Sequence, residues 1–141
     1  MVAFGFGEVI GGFIIGIIID KIGSKKTSVV NVIIILILIN VTAYSVKSQK
    51  YDWKTFLMCF LWGFQDSSLN IHTFQILGFE FISQSEPFGV LNIMQGIAAF
   101  LFQLIQSKID TTNQRDVIIY TYCVGVFAII AHATTYFFPY S

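Results

Sequence analysis

Charged residues are scarce in this sequence. They account for 11% of its 141 residues, whereas hydrophobic residues account for 55%, and the mean hydropathy is +0.75. A soluble domain carries roughly 25% charged residues. The scarcity of charge therefore excludes an ordinary soluble domain and predicts an integral, multi-pass membrane protein whose main partner is the lipid bilayer.

Neither sign of charge is in excess. Eight basic and eight acidic residues give a formal net charge of zero. Proteins that bind nucleic acids present a basic surface to the phosphate backbone. The charge balance therefore predicts no nucleic-acid partner.

Residues that carry enzyme chemistry are also rare. The chain has two cysteines and two histidines, and Cys59 and Cys123 lie in apolar segments, where a thiol usually acts as a small hydrophobe. There is no Cys/His cluster with zinc spacing, no Walker phosphate loop and no Gly-x-Ser-x-Gly elbow. The sequence thus predicts no catalytic residue, no metal, no cofactor and no enzyme.

Long apolar runs, in contrast, fill the chain. A membrane-spanning helix needs about 20 mostly apolar residues, and it must satisfy its own backbone hydrogen bonds within the bilayer. Polar breaks divide the chain into segments of that length, with no room for a soluble domain. We therefore predict one all-α membrane domain over residues 1–141, with spans at about 3–20, 28–46, 55–79, 88–107 and 117–138.

The first two segments differ in character. In the first, Gly12, Gly16 and Asp20 recur at every fourth residue, with Gly5, Gly7 and Gly11 nearby. The bare backbone on this side predicts close approach of another helix. Glu8 lies within the same span, where an ionisable group normally faces a partner or a water-filled cavity. The second segment is almost uniformly aliphatic, which predicts contact with lipid over much of its surface.

The third segment contains WGFQDSSLNIHTFQ, the most polar stretch of any span. At 100° per residue, Asp66, Asn70 and Thr73 fall within roughly 60° of one another. A charged residue at mid-bilayer costs about 2.5–3.5 kcal/mol, so Asp66 is expected to be buried against other helices or to line an aqueous route. Two interpretations stay open: a polar network that fixes helix packing, or a substrate or ion site with a proton relay through Asp66 and His72.

The fourth segment has a polar stripe within roughly 100° of its circumference. Its members are Asn92, Gln95, Gly96, Ala99, Gln103 and Gln106. Amide side chains form hydrogen bonds across helix interfaces, so this amide stripe predicts either a packing surface or the wall of a cavity. In the fifth segment, His132 is expected to be a satisfied interior histidine.

A short pattern between the first two spans resembles a known family. It reads Gly-x-x-x-Asp-Lys-x-Gly-x-Lys-Lys and comprises Gly16, Asp20, Lys21, Gly23, Lys25 and Lys26. This pattern is similar to the signature loop of the major facilitator superfamily, which lies on the cytoplasmic side between two helices of each six-helix half. The resemblance implies that these residues form a cytoplasmic gate loop.

A second pattern is similar to one branch of that superfamily, the uncoordinated-type facilitators, whose members include regulators of ion channels. In that branch Gly-x-x-Asp-x-x-x-Asn/Gln heads the tenth helix, and here Gly63, Asp66 and Asn70 occupy it. The resemblance implies that the five spans correspond to helices eight to twelve of a twelve-helix transporter, with the tenth lining the central cavity. The implied cavity residues are Asp66, Asn70, His72, Asn92, Gln95 and Gln103, with Glu8 as a coupling or packing group.

Two functions follow as expectations. In the first, the chain is the C-terminal part of a transporter or channel regulator whose full-length form moves a small solute or ion, with the remaining helices as its partner. In the second, it is a non-transporting membrane subunit. That subunit would dock to a larger complex through the glycine face of the first helix and the amide stripe of the fourth.

Overall fold

The computed structural model of the protein describes residues 1–48, 50–81 and 85–138, and within these ranges all regular structure is helical. The all-α fold class is therefore confirmed. The predicted and observed helix bounds differ most at the start of the second helix, predicted at 28 and found at Ser24. The helices are α1 (Val2–Ile22), α2 (Ser24–Ser48), α3 (Trp53–Glu80), α4 (Ser85–Gln106) and α5 (Gln114–Tyr136).

Four of these helices, α1, α2, α4 and α5, are long and apolar enough to cross a membrane. This supports the prediction of a multi-pass membrane protein. Helix α3 has 28 residues and exceeds each of them in length, but the polar side chains in its middle lower its hydropathy. That α3 also crosses the bilayer stays a prediction.

The connection between α1 and α2 is a single residue, Gly23. Its φ of 80° and ψ of 163° belong to a region that is essentially restricted to glycine. The Gly23 amide donates to the carbonyl of Ile19 at 2.8 Å, and its own carbonyl accepts from the Thr27 hydroxyl at 2.9 Å. The predicted spans leave residues 21–27 as a loop, and this is wrong, because Lys21 lies in the last turn of α1 and Lys25 and Lys26 belong to α2.

Helices α1 and α3 pack through glycines, so that their backbones touch. A Cβ atom on Gly11 would lie 2.6 Å from the carbonyl oxygen of Phe64, and one on Gly7 would overlap the carbonyl of Phe60. A Cβ on Gly12 would lie 2.8 Å from the hydroxyl oxygen of Ser67, whereas one on Gly16 would have no atom within 4 Å. The predicted close approach of another helix is therefore present at Gly7, Gly11 and Gly12 but not at Gly16.

Helix α2 packs against both α3 and α5, with Gly125 of α5 directly against the side chain of Ile39. Its opposite side is exposed and apolar, as at Ile33 and Ile37, so the lipid contact expected over much of α2 stays a prediction for that side alone. More residues are buried in α2 than in any other helix: Thr27, Ser28, Asn31, Ile35, Leu38, Ile39, Thr42, Ala43 and Ser45.

Helix α4 lies at the edge of the bundle, and none of its described residues is buried. It contacts α3 through the rings of Phe88 and Phe74, whose centroids are 5.6 Å apart. It contacts α5 through Phe102 and Phe127 at 6.0 Å. Most of its circumference is therefore open to lipid, water or another protein.

Candidate functional site

The polar residues of α3 divide between two sides of the helix. Gln65, Ser68 and His72 are buried, whereas Asp66 is exposed and Asn70 is half-buried. Asp66 and His72 are six residues apart, so their side chains leave the helix about 120° from each other. The structure thus separates the two residues that the sequence combined into one proton relay.

On the open side of α3, Asp66 and Asn70 form a pair. The Asn70 amide donates to a carboxylate oxygen of Asp66 at 3.4 Å, one helical turn away. Thr73 follows on the same side and lines a cleft between α3 and α4. The predicted shared face of these three residues is therefore present, but Asp66 is not buried against another helix of this chain.

The cleft between α3 and α4 has a volume of about 630 Å³. Its walls are mainly apolar, and Glu86, in the first turn of α4, contributes a carboxylate. Glu86 lies between the predicted third and fourth spans, one residue before Pro87, and this position gives no sign of a cleft. The lining residues are Thr73, Leu77, Phe81, Glu86, Pro87, Val90, Leu91 and Met94.

The amide stripe of α4 lies away from this cleft. Val90 and Met94 line the cleft, and each is two residues from Asn92, which places Asn92 on roughly the opposite side of the helix. Asn92, Gln95 and Gln103 are all exposed. In this chain, the stripe and the Asp66–Asn70 pair therefore form two separate polar surfaces.

The buried side of α3 carries a hydrogen-bonded network with α2. The hydroxyl of Ser68 donates to Oδ1 of Asn31 at 2.5 Å, and Nδ2 of Asn31 lies 3.4 Å from Nδ1 of His72. All three side chains are at most 2% exposed. Of the two interpretations that the sequence left open for α3, the packing network describes this side of the helix.

His132 of α5 is also interior, with 3% of its surface exposed. Its Nε2 has no hydrogen-bond partner among the described residues, and neither has either amide atom of the buried Gln65. The expected interior position of His132 is therefore confirmed, and its being satisfied stays a prediction. An apolar sequence context predicts burial of such a side chain, but it cannot predict whether a partner lies opposite.

The predicted gate-loop residues and Glu8 have little contact with the rest of the described chain. Asp20 is exposed and forms no ion pair within it. The ammonium group of Lys25 lies 4.9 Å from the ring centroid of Tyr136, which ties the start of α2 to the end of α5. Glu8 is half-buried, and its carboxylate has no hydrogen-bond partner in the described ranges.

Among the residues that the structure describes, no group of three or more histidine, cysteine, aspartate or glutamate side chains could hold a metal ion. Comparisons of the chain with protein-family models, curated proteins and solved structures found no match. The resemblance to the facilitators therefore rests on the sequence patterns alone.

Proposed function

We propose that this chain is part of a facilitator-type membrane transporter or ion-channel regulator, in which its helices correspond to helices eight to twelve. The observation that carries the proposal is the exposed Asp66 with its partner Asn70 on α3. A carboxylate within a bilayer is costly unless it meets water or protein. The open side of α3 therefore faces an aqueous route or another part of the transporter, as the resemblance implies for the tenth helix.

Two further features support this proposal. The cleft that Thr73 lines, about one helical turn along α3 from Asn70, has a volume of about 630 Å³, a size within the range of small-molecule sites. The Gly23 turn lies between Lys21, in the last turn of α1, and Lys25, in the first turn of α2. A basic cluster at the membrane surface is what the facilitator signature supplies.

A second candidate function is favoured by helix α4, whose described residues are all at least partly exposed. Its amide stripe would be unpaired in lipid, so a partner membrane protein that binds the stripe would stabilise the chain. The glycine face of α1, which the sequence also offered as a docking surface, is less suited to docking because Gly7 and Gly11 already pack against α3. A docking subunit would therefore use α4.

Thiol labelling in native membranes tests both proposals. The two native cysteines, Cys59 and Cys123, are replaced by alanine, and single cysteines are introduced as Asp66→Cys, Asn92→Cys and, as a matched control, Ile93→Cys. Ile93 neighbours Asn92 and is 62% exposed on an apolar part of α4. A membrane-impermeant maleimide then reports which positions meet water.

The transporter proposal expects labelling of the Asp66→Cys and Asn92→Cys variants and none of Ile93→Cys. The subunit proposal expects protection of Asn92→Cys until detergent dissociates a complex of defined size on a native gel. If neither Asp66→Cys nor Asn92→Cys is labelled, before or after solubilisation, both proposals are contradicted.

A flux assay tests the transporter proposal further. Vesicles containing the chain alone should show no proton or cation flux above empty vesicles, because alternating access needs two halves. Robust flux would contradict the partial-transporter proposal.

A further inference from the structure

The end of α2 and the start of α3 carry basic and aromatic side chains. Residues 47–54 contain three lysines and one aspartate. The aromatic side chains beside them are exposed, and these are Tyr44, Tyr51 and Trp53. Tyrosine and tryptophan are enriched where spanning helices leave the hydrocarbon core, and lysine side chains there reach the headgroup layer. This end of the bundle is therefore expected at the surface of the bilayer.

A pocket of about 430 Å³ lies between these two helix ends. Its polar lining consists of the ammonium group of Lys50 and three hydroxyl groups, and none of its described lining residues is acidic. The hydroxyl groups belong to Ser45, Tyr51 and Thr55, and the apolar lining to Val46 and Met58. Ammonium and hydroxyl groups donate hydrogen bonds to an anion, so the chemistry of the pocket favours a negatively charged ligand.

Hydrogen bonds hold the backbone of Lys50 at the edge of this pocket. Its carbonyl oxygen accepts from the amide of Asp52 at 3.1 Å and from the hydroxyl of Thr55 at 3.3 Å. Lys50 is exposed, and its ammonium group forms no ion pair with a described residue. No carboxylate in the described ranges therefore competes with an anionic ligand for this lysine.

The two charged residues that follow, Asp52 and Lys54, interact with each other. One carboxylate oxygen of Asp52 accepts from the Lys54 backbone amide at 2.9 Å, and the other lies 3.9 Å from the Lys54 ammonium group. That ammonium group also donates to the Tyr44 hydroxyl at 3.1 Å and lies 4.6 Å from the centroid of its ring. Neither residue lines the pocket, so Lys50 supplies its charge.

The position of the pocket indicates which anion it binds. A phosphate group presents several acceptor oxygens, and lysine is a common phosphate ligand. Phospholipids hold their phosphates in the headgroup layer, where basic side chains attract anionic lipids. A choline headgroup would add a cation for which the described lining offers no carboxylate. An anionic phospholipid therefore fits better than a zwitterionic one.

We propose that this pocket binds the phosphate group of an anionic phospholipid, which accepts hydrogen bonds from Lys50, Ser45 and Tyr51. Val46 and Met58 then contact the adjoining glycerol and the start of the acyl chains. The site anchors the connection between α2 and α3 in the headgroup layer. It goes beyond the proposed function, because it holds whether or not the chain is part of a transporter.

Native mass spectrometry of the full chain tests this proposal. The protein is released from micelles titrated with phosphatidylglycerol or with phosphatidylcholine of the same acyl chains, and the first bound lipid is quantified. We expect phosphatidylglycerol to bind about tenfold more tightly, as an additional interaction with a charged group would produce. This comparison uses the wild-type protein, so it does not depend on whether a variant folds.

Two lysines provide a matched pair of variants. Lys50→Gln should weaken the binding of phosphatidylglycerol about tenfold, because it removes a charged donor from the pocket. Lys47 is also exposed but does not line the pocket. Lys47→Gln removes the same charge and should weaken binding by less than about threefold.

Two tyrosines provide a second pair. Tyr51→Phe removes a hydroxyl donor of the pocket and should weaken binding about threefold, as expected for one neutral hydrogen bond. Tyr44→Phe removes a hydroxyl outside the pocket and should leave the binding of phosphatidylglycerol unchanged. Both side chains are exposed, and circular dichroism verifies that the variants keep their helices.

Three results would overturn the proposal. The first is equal affinity of the wild-type protein for phosphatidylglycerol and phosphatidylcholine. The second is equal weakening by Lys47→Gln and Lys50→Gln, which would indicate attraction by net charge without a defined site. The third is displacement of phosphatidylglycerol by inorganic phosphate but not by sodium chloride of the same ionic strength, which would assign the pocket to a soluble phosphate.

Discussion

Gly63 of α3 lies directly against the backbone carbonyl of Phe4 on α1, so that a Cβ atom on Gly63 would overlap it. Helices approach this closely only where side chains are absent. This contact determines which side of α3 faces α1, and through that rotation it determines which polar residues of α3 are buried.

The glycine contact leads to a first prediction. Gly63→Ala should destabilise the bundle by about 1–3 kcal/mol, because the added methyl group meets backbone, which cannot move aside. Gly16→Ala is the matched control, because the added methyl group enters open space. This variant should gain up to about 1 kcal/mol of helix propensity. Unfolding in mixed detergent micelles, followed by circular dichroism, measures both, and equal stabilities of the two variants would contradict the packing described.

The polar network between α2 and α3 gives a second prediction. Asn31→Leu should destabilise the protein by about 1–3 kcal/mol, because it leaves Ser68 and His72 without their buried partner. Asn40→Leu, on the exposed side of α2, should change the free energy of unfolding by less than about 0.5 kcal/mol. The same micelle titration measures the difference, and a destabilisation by Asn40→Leu as large as that by Asn31→Leu would count against the network.

The start of α5 gives a third prediction. The side chain of Asn113 accepts a hydrogen bond from the amide of Arg115 at 3.1 Å and donates to the carboxylate of Asp116 at 3.0 Å. Asn113→Ala removes this N-cap and should cost about 1 kcal/mol, whereas Asn113→Ser keeps a capping oxygen and should restore most of the stability. Hydrogen exchange of the first-turn amides of α5 provides the measurement, and unchanged exchange in Asn113→Ala would refute the cap.

The connection between α4 and α5 gives a prediction about pH. The Thr112 hydroxyl, and then the Thr112 backbone amide, hydrogen-bond the Asp110 carboxylate at 2.7 and 2.9 Å and hold the pKa of Asp110 below its usual value of 3.8. Since the folded pKa is lowered, the stabilisation of this turn is present above pH 3.8 and is lost as the pH falls through the lowered pKa.

Thr112→Val removes the hydroxyl donor but keeps the backbone one, so the pKa of Asp110 should rise part of the way towards its usual value. Thr111→Val, at the neighbouring position, should leave it unchanged. Carbon-13 titration of the Asp110 carboxyl group measures the shift, and an identical pKa in Thr112→Val and wild type would contradict the proposed cause.

Much of the fold could be predicted from apolar segments and polar breaks. A long apolar segment in a bilayer must form its own backbone hydrogen bonds, so its length determines a helix almost regardless of its neighbours. The break at 21–27 was predicted too long, since one glycine with a positive φ suffices to turn the chain. Lysine and serine are compatible with helix and gave no sign of where the helix would resume.

The candidate site could be predicted less well. Helical periodicity correctly combined Asp66, Asn70 and Thr73 on one face, because that is a property of the helix alone. It could not show that His72 points to Asn31, or that the amide stripe of α4 lies away from the cleft. Those relationships depend on how each helix is rotated against its neighbours, which no single segment encodes.

By itself, the sequence determined the positions of the helices and of the polar residues along each of them. Only the tertiary structure decided which side of each helix is buried. Gly7 and Gly11 of α1 pack against the backbone of α3, and Gly63 of α3 packs against the backbone of Phe4 on α1. These contacts rotate α3 so that His72 is turned towards α2 and Asp66 is left open. The reason is steric: glycine spacing permits several close approaches, and only the packing of whole helices selects one.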